Sequence, residues 1–407
     1  MKIAILAPLD RNIVTNFLPN YDIDSLPKGY AGAPYLGLII DKLLLAGHEV
    51  TCITTSVSLD YKFIVTKFNH GDFTWIVVPS RPYAVRFAGG KIGKVVDFYR
   101  LEIKLMLQNL RDFNPNFVHA FWSYEFAAVA KNSGFPYLIT IEDNPYQILK
   151  YHKPKWFWFS RLLLSEWTLF KVKNCSIISP YLSNYSTRRN LNAKIIPNPV
   201  KISLTEDTLR ESVYNKAATL STPILIMINN GWNKRKNGIT ALRAFQKVRD
   251  FFPSANLYLY GDGSETEGIA FKEAEGLDLS NIFFCGPINH DQIIANFSRA
   301  HLFIHPSREE SLGVVLIEAM AQGVPTIGGL SSGAVPWVIN NDNLLVDINE
   351  PTEIADKVIE VLENKQLYTN LCLSSFNNVK DRFSDEIVVN EFLIKYDEIL
   401  SEKKQIS

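Results

Sequence analysis

Short runs of apolar residues alternate with longer amphipathic stretches along the whole chain. In the first half the runs lie at residues 3–7, 49–54, 75–78, 117–120, 137–141, 176–178 and 194–196. In the second half they lie at residues 223–229, 257–260, 282–284, 301–305 and 326–327. Runs that are apolar at every position are typical of parallel strands covered by helices on both faces. The pattern therefore predicts an α/β protein with two Rossmann-like domains.

Apolar residues at helical spacing predict helices at residues 34–46, 95–110, 239–252 and 385–400. The polar stretch 201–222 has no strong period and follows Pro197 and Pro199, so we predict that it is the linker between the domains. The predicted parts are an N-terminal domain at 1–200, a C-terminal domain at 201–384, and a last helix at 385–407.

Size and charge narrow the class of protein. A chain of 407 residues with 47% apolar residues can bury a large core and is too long for one hydrophobic core. The net charge is zero, which gives no reason to expect a nucleic-acid partner. Residues 1–200 nevertheless hold 23 Lys and Arg against 14 Asp and Glu, whereas residues 201–407 hold 19 against 28. The basic half could face an anionic partner.

The cysteines and the N-terminal residues indicate the cellular compartment of the protein. The four cysteines are far apart and form no CxxC pair, as expected for packing residues in a reducing compartment. The N-terminal residues lack a secretory pattern, and no apolar stretch approaches the ~20 residues of a membrane span. We therefore predict a cytoplasmic protein.

The most specific motif runs from His305 to Met320 and combines a strand end, a polar loop and a helix that is apolar on every face. Such a helix is buried, so Glu318 places a carboxylate in the interior, where an unpaired charge costs several kcal/mol. The hydroxyls of a ribose or a nearby basic side chain could be its partner. Gly313 leaves the backbone N–H groups at the helix start open to a diphosphate. Glu310, just before the helix, either faces the same site or is a solvated loop acid.

A second motif is the loop that carries Lys234, Arg235 and Lys236 between a predicted strand and a predicted helix. Three adjacent cations at a strand-to-helix junction are placed to hold a pyrophosphate. A solvated run of charges is the other interpretation.

Glu310 and Glu318, with seven residues between them, resemble the E-x7-E motif of retaining glycosyltransferases of family 4. The resemblance covers nearly the whole chain. It implies the GT-B fold, in which two Rossmann-like domains face a central cleft and the C-terminal helix crosses back to the N-terminal domain. In that fold residues 1–200 would be the acceptor-binding domain and residues 201–384 the nucleotide-sugar-binding domain. It also implies that Glu318 binds the ribose of the nucleotide, that Glu310 lies near the donor sugar, and that Lys236 binds phosphate.

The same resemblance implies a wider set of residues that bind the donor. They are Gly32, Gly231, Arg235, Gly261, Gly286, Pro287, Ser311, Leu312, Gly313, Val314 and Val315.

Two positions depart from the family pattern. Trp232 stands where many members have an Arg, so the second phosphate cation is either Arg235 or missing. Glu142, followed by Asp143, stands where many relatives have a His facing the donor sugar. We expect Glu142 and Asp143 to contact the sugar, to alter the chemistry, or to be a polar pair at a strand end.

The resemblance implies a hexosyltransferase (EC 2.4) that retains the configuration at the anomeric carbon. The donor would be a nucleotide diphospho-sugar, with UDP favoured and GDP-mannose second. The acceptor would be a saccharide or lipid-linked saccharide in the synthesis of bacterial surface polysaccharide, such as LPS O-antigen, capsule or exopolysaccharide. The alternative, motivated by Trp232 and Glu142, is a catalytically silent sugar-nucleotide-binding subunit.

Retention is compatible with a double displacement through a carboxylate nucleophile. For this family a front-face route is favoured, in which the leaving diphosphate helps to take the acceptor proton. No cofactor or metal is expected, since Asp22 and Asp24 form only a weak DxD pair in a predicted loop.

Residues 150–173 combine six Lys and Arg with a cluster of Trp and Phe, and Glu166 is the single acid among them. One interpretation is an interfacial helix on an anionic membrane surface, which would suit a lipid-linked acceptor and a peripheral location on the inner face of the plasma membrane. The other is a core helix with a basic outer face.

Overall fold

The computed structural model describes residues 1–62, 64–83, 93–189 and 191–406, with backbone only at 60–62 and 404–406. The chain divides into two compact units. Unit 1 comprises Met1–Pro199 and Asp385–Ser407, and unit 2 comprises Val200–Ser384.

Unit 1 is built on an eight-stranded sheet. Its strands are β1 (Lys2–Leu6), β2 (Glu49–Ser56), β3 (Thr66–His70), β4 (Phe73–Pro79), β5 (Phe117–Phe121), β6 (Tyr137–Ile141), β7 (Cys175–Ile177) and β8 (Ala193–Ile195). They lie in the order β3-β4-β2-β1-β5-β6-β7-β8. All neighbours are parallel except β3 and β4. The sequence analysis missed β3 because this edge strand is largely exposed and its residues are mostly polar.

The helices of unit 1 follow the strands. They are α1 (Arg11–Val14), α2 (Leu36–Leu45), α3 (Arg100–Phe113), α4 (Glu125–Asn132), α5 (Pro145–Tyr151), α6 (Lys155–Leu169) and α7 (Ser183–Thr187). The predicted helix at 95–110 starts later than expected, because Tyr99 takes a left-handed conformation with φ of 62° and ends the preceding turn.

Unit 2 contains a six-stranded parallel sheet. Its strands are β9 (Ile224–Ile228), β10 (Asn256–Tyr260), β11 (Ile282–Gly286), β12 (Leu302–His305), β13 (Thr326–Gly329) and β14 (Leu345–Val346). Their order is β11-β10-β9-β12-β13-β14. The chain leaves β9 on one side toward β10 and β11 and returns on the other side at β12. In open parallel sheets ligands bind outside the carboxyl ends of the strands at such a switch point.

Eight helices are described in unit 2. They are α8 (Glu206–Ala217), α9 (Gly238–Phe251), α10 (Ile269–Glu273), α11 (His290–Arg299), α12 (Val314–Ala321), α13 (Val335–Ile339), α14 (Pro351–Glu363) and α15 (Lys365–Phe383).

The prediction that residues 201–222 are an irregular linker is wrong. Helix α8 occupies the middle of this stretch, and a reciprocal pair of hydrogen bonds between Thr205 and Thr208 caps its first turn. Leu209, Val213 and Ala217 are buried at a spacing of four residues. This narrow apolar stripe lies among nine polar or charged residues of the helix, so the helical period was hard to detect.

The last helix, α16 (Asp385–Ile406), packs into the core of unit 1, as the expected GT-B fold requires. Val388, Phe392 and Tyr396 are buried in one apolar cluster with residues of β1 and β5. The Tyr396 hydroxyl lies 2.7 Å from Nδ1 of buried His119. Within the described part of the chain, no helix combines the length and the apolar character needed to span a bilayer.

Candidate active site

The carboxyl ends of the strands of unit 2 bring the polar loops of the sequence motifs together. Asn229 follows β9, Gly261 follows β10, and His305 ends β12. Since all these strands are parallel, the loops after them lie at one edge of the sheet. The motif around Glu310 and the loop around Lys236 therefore meet, although they are 74 residues apart.

Glu310 is the centre of a charged cluster. The Lys236 Nζ donates a hydrogen bond to its Oε1 at 2.7 Å, and an Arg235 guanidinium nitrogen lies 3.4 Å from its Oε2. Buried His305 places its Nε2 3.4 Å from Oε1. Burial alone would raise the pKa of Glu310, but the charge of Lys236 and the contacts of His305 and Arg235 outweigh burial and hold this pKa well below its usual range. Glu310 is therefore an ionised acceptor of hydrogen bonds.

The backbone around Glu310 is fixed by Gly333. The two residues form an isolated parallel bridge, and the N–H of Ala334 donates to the Glu310 carbonyl at 2.9 Å. A Cβ at Gly333 would lie 2.4 Å from that carbonyl oxygen, and its φ is +68°, so only glycine fits. The glycine-rich segment after β13 thereby holds Glu310 in place.

Helix α12 begins beside Glu310. Gly313 is its N-cap with φ of 83°, and no side chain caps the first turn. The backbone N–H groups of the first helical residues, Val314 and Val315, therefore have no partner within the helix. Of the two residues before Gly313, Leu312 is buried and Ser311 is half-buried. The arrangement can hold an anion beside Lys236 and Arg235.

The partner of Glu318 is a histidine that the sequence analysis did not single out. The Glu318 carboxylate is largely buried on α12 and lies 2.7 Å from Nε2 of His290, the first residue of α11. Its hydrogen bond to Glu318 raises the pKa of His290. Of the two partners that the sequence left open, the free protein uses the basic side chain.

Trp232 is part of the packing of unit 2. Its ring is buried against Gly238 and Gly263, and its Nε1 donates to Oε2 of Glu273 at 2.7 Å. Like Lys236 in the same loop, Arg235 reaches Glu310. Arg235 also donates to the Glu309 carbonyl at 2.9 Å.

Several buried polar side chains near this edge make no hydrogen bond within the protein. The atoms without a partner are the side-chain oxygen and nitrogen of Asn229 and the hydroxyl oxygens of Ser264 and Ser307. Leaving such a group without a partner costs about 1–3 kcal/mol. These side chains lie after β9, β10 and β12, so a polar ligand bound there could supply the missing hydrogen bonds.

The remaining predicted donor-binding residues of unit 2 lie at the same edge. Gly231 follows β9, Gly286 ends β11, and Pro287 comes directly after it. Gly32, Glu142 and Asp143 belong to unit 1.

In unit 1 Glu142 is bonded to Tyr35, which comes three residues after Gly32. Gly32 lies against Pro8 and Trp122, and the Tyr35 hydroxyl donates to Oε1 of Glu142 at the end of β6. Burial, with a smaller contribution from the neighbouring Asp143, raises the pKa of Glu142 to about 8. At neutral pH Glu142 is therefore mostly protonated. Tyr35 follows the glycine loop that the sequence analysis singled out, and this position is the signal that could have found it.

Asp22 and Asp24 are engaged in local contacts. Asp22 accepts from the backbone N–H of Asp24 at 3.0 Å, and Asp24 lies 3.4 Å from Arg11. Across the described ranges, no group of three or more His, Cys, Asp or Glu side chains is arranged to hold a metal ion.

Comparison with known proteins agrees with this architecture. Residues 214–372, within unit 2, match the family Glycosyl transferases group 1. The chain is 31% identical over 187 residues to N-acetyl-alpha-D-glucosaminyl L-malate synthase of Bacillus anthracis. The aligned region covers 45% of this chain and 48% of that protein. The chain spans about half the length of the curated relatives it matches.

Solved structures match over the whole chain. Sucrose-phosphate synthase from Thermosynechococcus elongatus has a TM-score of 0.70 at 18% identity and covers 99% of this chain and 100% of that chain. Anabaena HepE in complex with UDP has a TM-score of 0.67 at 14% identity and covers 98% and 100%. The chain has the GT-B fold and carries a glycosyl transferases group 1 domain.

Proposed function

We propose that this protein is a retaining glycosyltransferase of family 4, which moves a sugar from a nucleotide diphospho-sugar to an acceptor hydroxyl. The observation that carries the proposal is the cluster of Glu310, Lys236 and Arg235 beside the uncapped start of α12. Two cations and a helix N-terminus match the charge of a diphosphate. The named activities of the similar proteins support the same reaction class.

The donor would bind with its diphosphate at Lys236, Arg235 and the N–H groups of Val314 and Val315. Its ribose would replace His290 as the partner of Glu318. UDP is the favoured nucleotide, because the similar Anabaena protein forms a complex with UDP. GDP-mannose is the second candidate.

The proposed chemistry stabilises the departing diphosphate. Charge develops on its oxygens as the bond to the sugar breaks, and donors that are already in place stabilise that charge without reorganisation. Ionised Glu310 accepts hydrogen bonds from sugar hydroxyls. A double displacement through Glu142 is disfavoured, since a carboxyl group protonated at neutral pH is a poor nucleophile. In the front-face route the leaving diphosphate takes the proton of the acceptor hydroxyl. This route needs the groups that bind the diphosphate and no carboxylate nucleophile.

For the acceptor we propose a saccharide or lipid-linked saccharide of a bacterial surface polysaccharide, bound by unit 1. No metal or cofactor is part of the proposal. In unit 2 the carboxylates of Glu310 and Glu318 are engaged with Lys236, Arg235 and His290.

The test is release of free nucleotide diphosphate from a panel of nucleotide sugars, with thermal shift recorded in parallel. We expect one donor to be hydrolysed slowly and to stabilise the protein. Lys236→Met should lower the rate by about 10²–10³, the usual effect of removing one such donor group. Lys247→Met is the matched control, because Lys247 lies on α9 and pairs with Asp356 at the surface.

A thermal shift with one nucleotide sugar but no turnover, even with saccharide and lipid-linked acceptors present, would contradict the proposed transferase activity. It would support the alternative, a catalytically silent subunit that binds sugar nucleotides. Equal rates in Lys236→Met and Lys247→Met would refute the assignment of the diphosphate site.

A further inference from the structure

Helix α6 lies at the surface of unit 1 and is apolar on its outer side. Its inner side buries Leu162, Leu164, Thr168 and Leu169. Its outer side exposes five large apolar residues, each between 43% and 65% accessible to solvent. This outer side, which we call the aromatic face, consists of Trp156, Phe159, Leu163, Trp167 and Phe170.

The five residues form one continuous stripe. The four on α6 are spaced by three, four and four residues, which places them within an arc of about 80° at 100° per residue, and Phe170 is the C-cap residue directly after the helix. The helix is about 22 Å long at 1.5 Å per residue. Soluble proteins rarely expose a contiguous apolar surface of this kind unless it has a partner. The interpretation of this segment as a core helix with a basic outer face is therefore wrong, because its outer face is aromatic.

Positive charge lies at both ends of the aromatic face. Exposed lysines precede α6 and follow it, and we call them the basic flanks: Lys150, Lys153, Lys155, Lys171 and Lys173. Glu166, the single acid of this segment, is ion-paired with Arg189. Arg161 does not add to the flanks, since it is buried and bonded to Glu125 at 2.8 Å.

The aromatic face is held rigidly by contacts on the inner side of the helix. Besides the Arg161–Glu125 pair, the Ser165 hydroxyl lies 2.9 Å from that of Ser123 and 3.0 Å from that of Tyr185. At the carboxyl end, Lys131 donates to the Phe170 carbonyl at 2.6 Å. The exposed side chains therefore project from a fixed helix.

We propose that the aromatic face docks on the surface of an anionic phospholipid bilayer. The helix lies in the plane of the interface, the five apolar side chains enter the boundary between headgroups and acyl chains, and the basic flanks contact lipid phosphates. The charge pattern favours lipid over a second copy of this chain, because two copies facing each other would bring their lysines together. The proposal does not depend on the donor site.

The experiment is flotation of the full chain with vesicles of phosphatidylcholine alone or mixed with phosphatidylglycerol. We expect binding to the mixed vesicles that weakens at high salt. The triple variant Trp156→Ser, Phe159→Ser, Trp167→Ser should lose at least about tenfold in partition coefficient. The matched control is Tyr214→Ser with Phe251→Ser, which removes two exposed aromatic residues of unit 2.

The basic flanks make a separate prediction. Each Lys→Gln change at Lys171 or Lys173 should lower binding to the anionic vesicles by about fivefold and leave binding to neutral vesicles unchanged. Quenching of tryptophan fluorescence by brominated lipid should fall in Trp156→Phe and Trp167→Phe but not in the control Trp337→Phe, since Trp337 lies in unit 2.

The proposal is overturned if the protein does not float with anionic vesicles, or if the triple variant and its control float equally. It is also overturned if the triple variant abolishes self-association in sedimentation velocity while no vesicle binding is seen, because the partner is then a second copy. Release of nucleotide diphosphate from a soluble donor without vesicles tests the transferase independently of this surface.

Discussion

Replacing Glu142 with Gln should make the protein more stable at neutral pH. In the wild type the carboxyl group is buried, accepts a hydrogen bond from Tyr35 and has a pKa raised from 4.5 to about 8, chiefly by burial. Gln has nearly the same shape and keeps an acceptor oxygen for Tyr35. It cannot ionise, so it removes the energetic cost of having a titratable acid at this position.

The magnitude follows from proton linkage. The folded protein binds this proton more tightly than the unfolded chain, so stability is fully present below the unfolded pKa and is lost as pH rises through the folded pKa. Between pH 4.5 and 8 the free energy of unfolding should fall by about 1.4 kcal/mol per pH unit. At pH 7 this amounts to about 3 kcal/mol, which Glu142→Gln should recover.

The assay is urea unfolding at pH 5 and pH 7.5, followed by a signal from unit 1 such as hydrogen exchange in β5 and β6. The advantage of Glu142→Gln should be small at pH 5 and large at pH 7.5. Glu206→Gln is the control, since Glu206 is exposed on α8. Equal pH dependence of the wild type and Glu142→Gln would refute the reasoning and show that Glu142 is ionised in the folded protein.

Three further predictions concern unit 2. If the ribose of the donor replaces His290 at Glu318, as proposed, His290→Ala should tighten nucleotide binding severalfold, and more at low pH, where the imidazole is protonated, than at high pH. Weaker binding of the nucleotide to His290→Ala in calorimetry at pH 6 would show that His290 helps to hold it. Trp232→Arg should destabilise the protein by about 3–5 kcal/mol in denaturant titrations without improving donor affinity, because the ring fills the space beside Gly238. A chelator should leave release of nucleotide diphosphate unchanged, and loss of the rate with recovery on added Mg²⁺ would mean that a metal bridges the diphosphate.

The central strands were predictable because they are short, mostly apolar and buried. The apolar runs at 3–7, 117–120 and 224–229 correspond to β1, β5 and β9. Two elements that the sequence did not predict are each buried on one side only. Strand β3 lies at a sheet edge and is mostly polar, and helix α8 buries only a narrow stripe, so neither has a strong periodic signal.

The candidate site could be found only in part. Glu310, Lys236 and Glu318 stand in recognisable motifs, and the structure shows the first two in contact. His290 and Tyr35 were missed, because each is recognised by the carboxylate it bonds; of the two, only Tyr35 has a signal in the sequence, its position after the glycine loop.

Hydrophobic periodicity is a local property of each element, so it was sufficient to predict two largely parallel sheets and the loops that carry charge. The pairing of side chains across those loops follows from tertiary packing. Glu310 and Lys236 are 74 residues apart, and Glu318 and His290 are 28 apart, so their contacts follow from strand order. The packing of unit 1 also decides which side of α6 is exposed, because this helix carries large apolar side chains on both its buried and its exposed side, so that periodicity alone gives no preferred inner face.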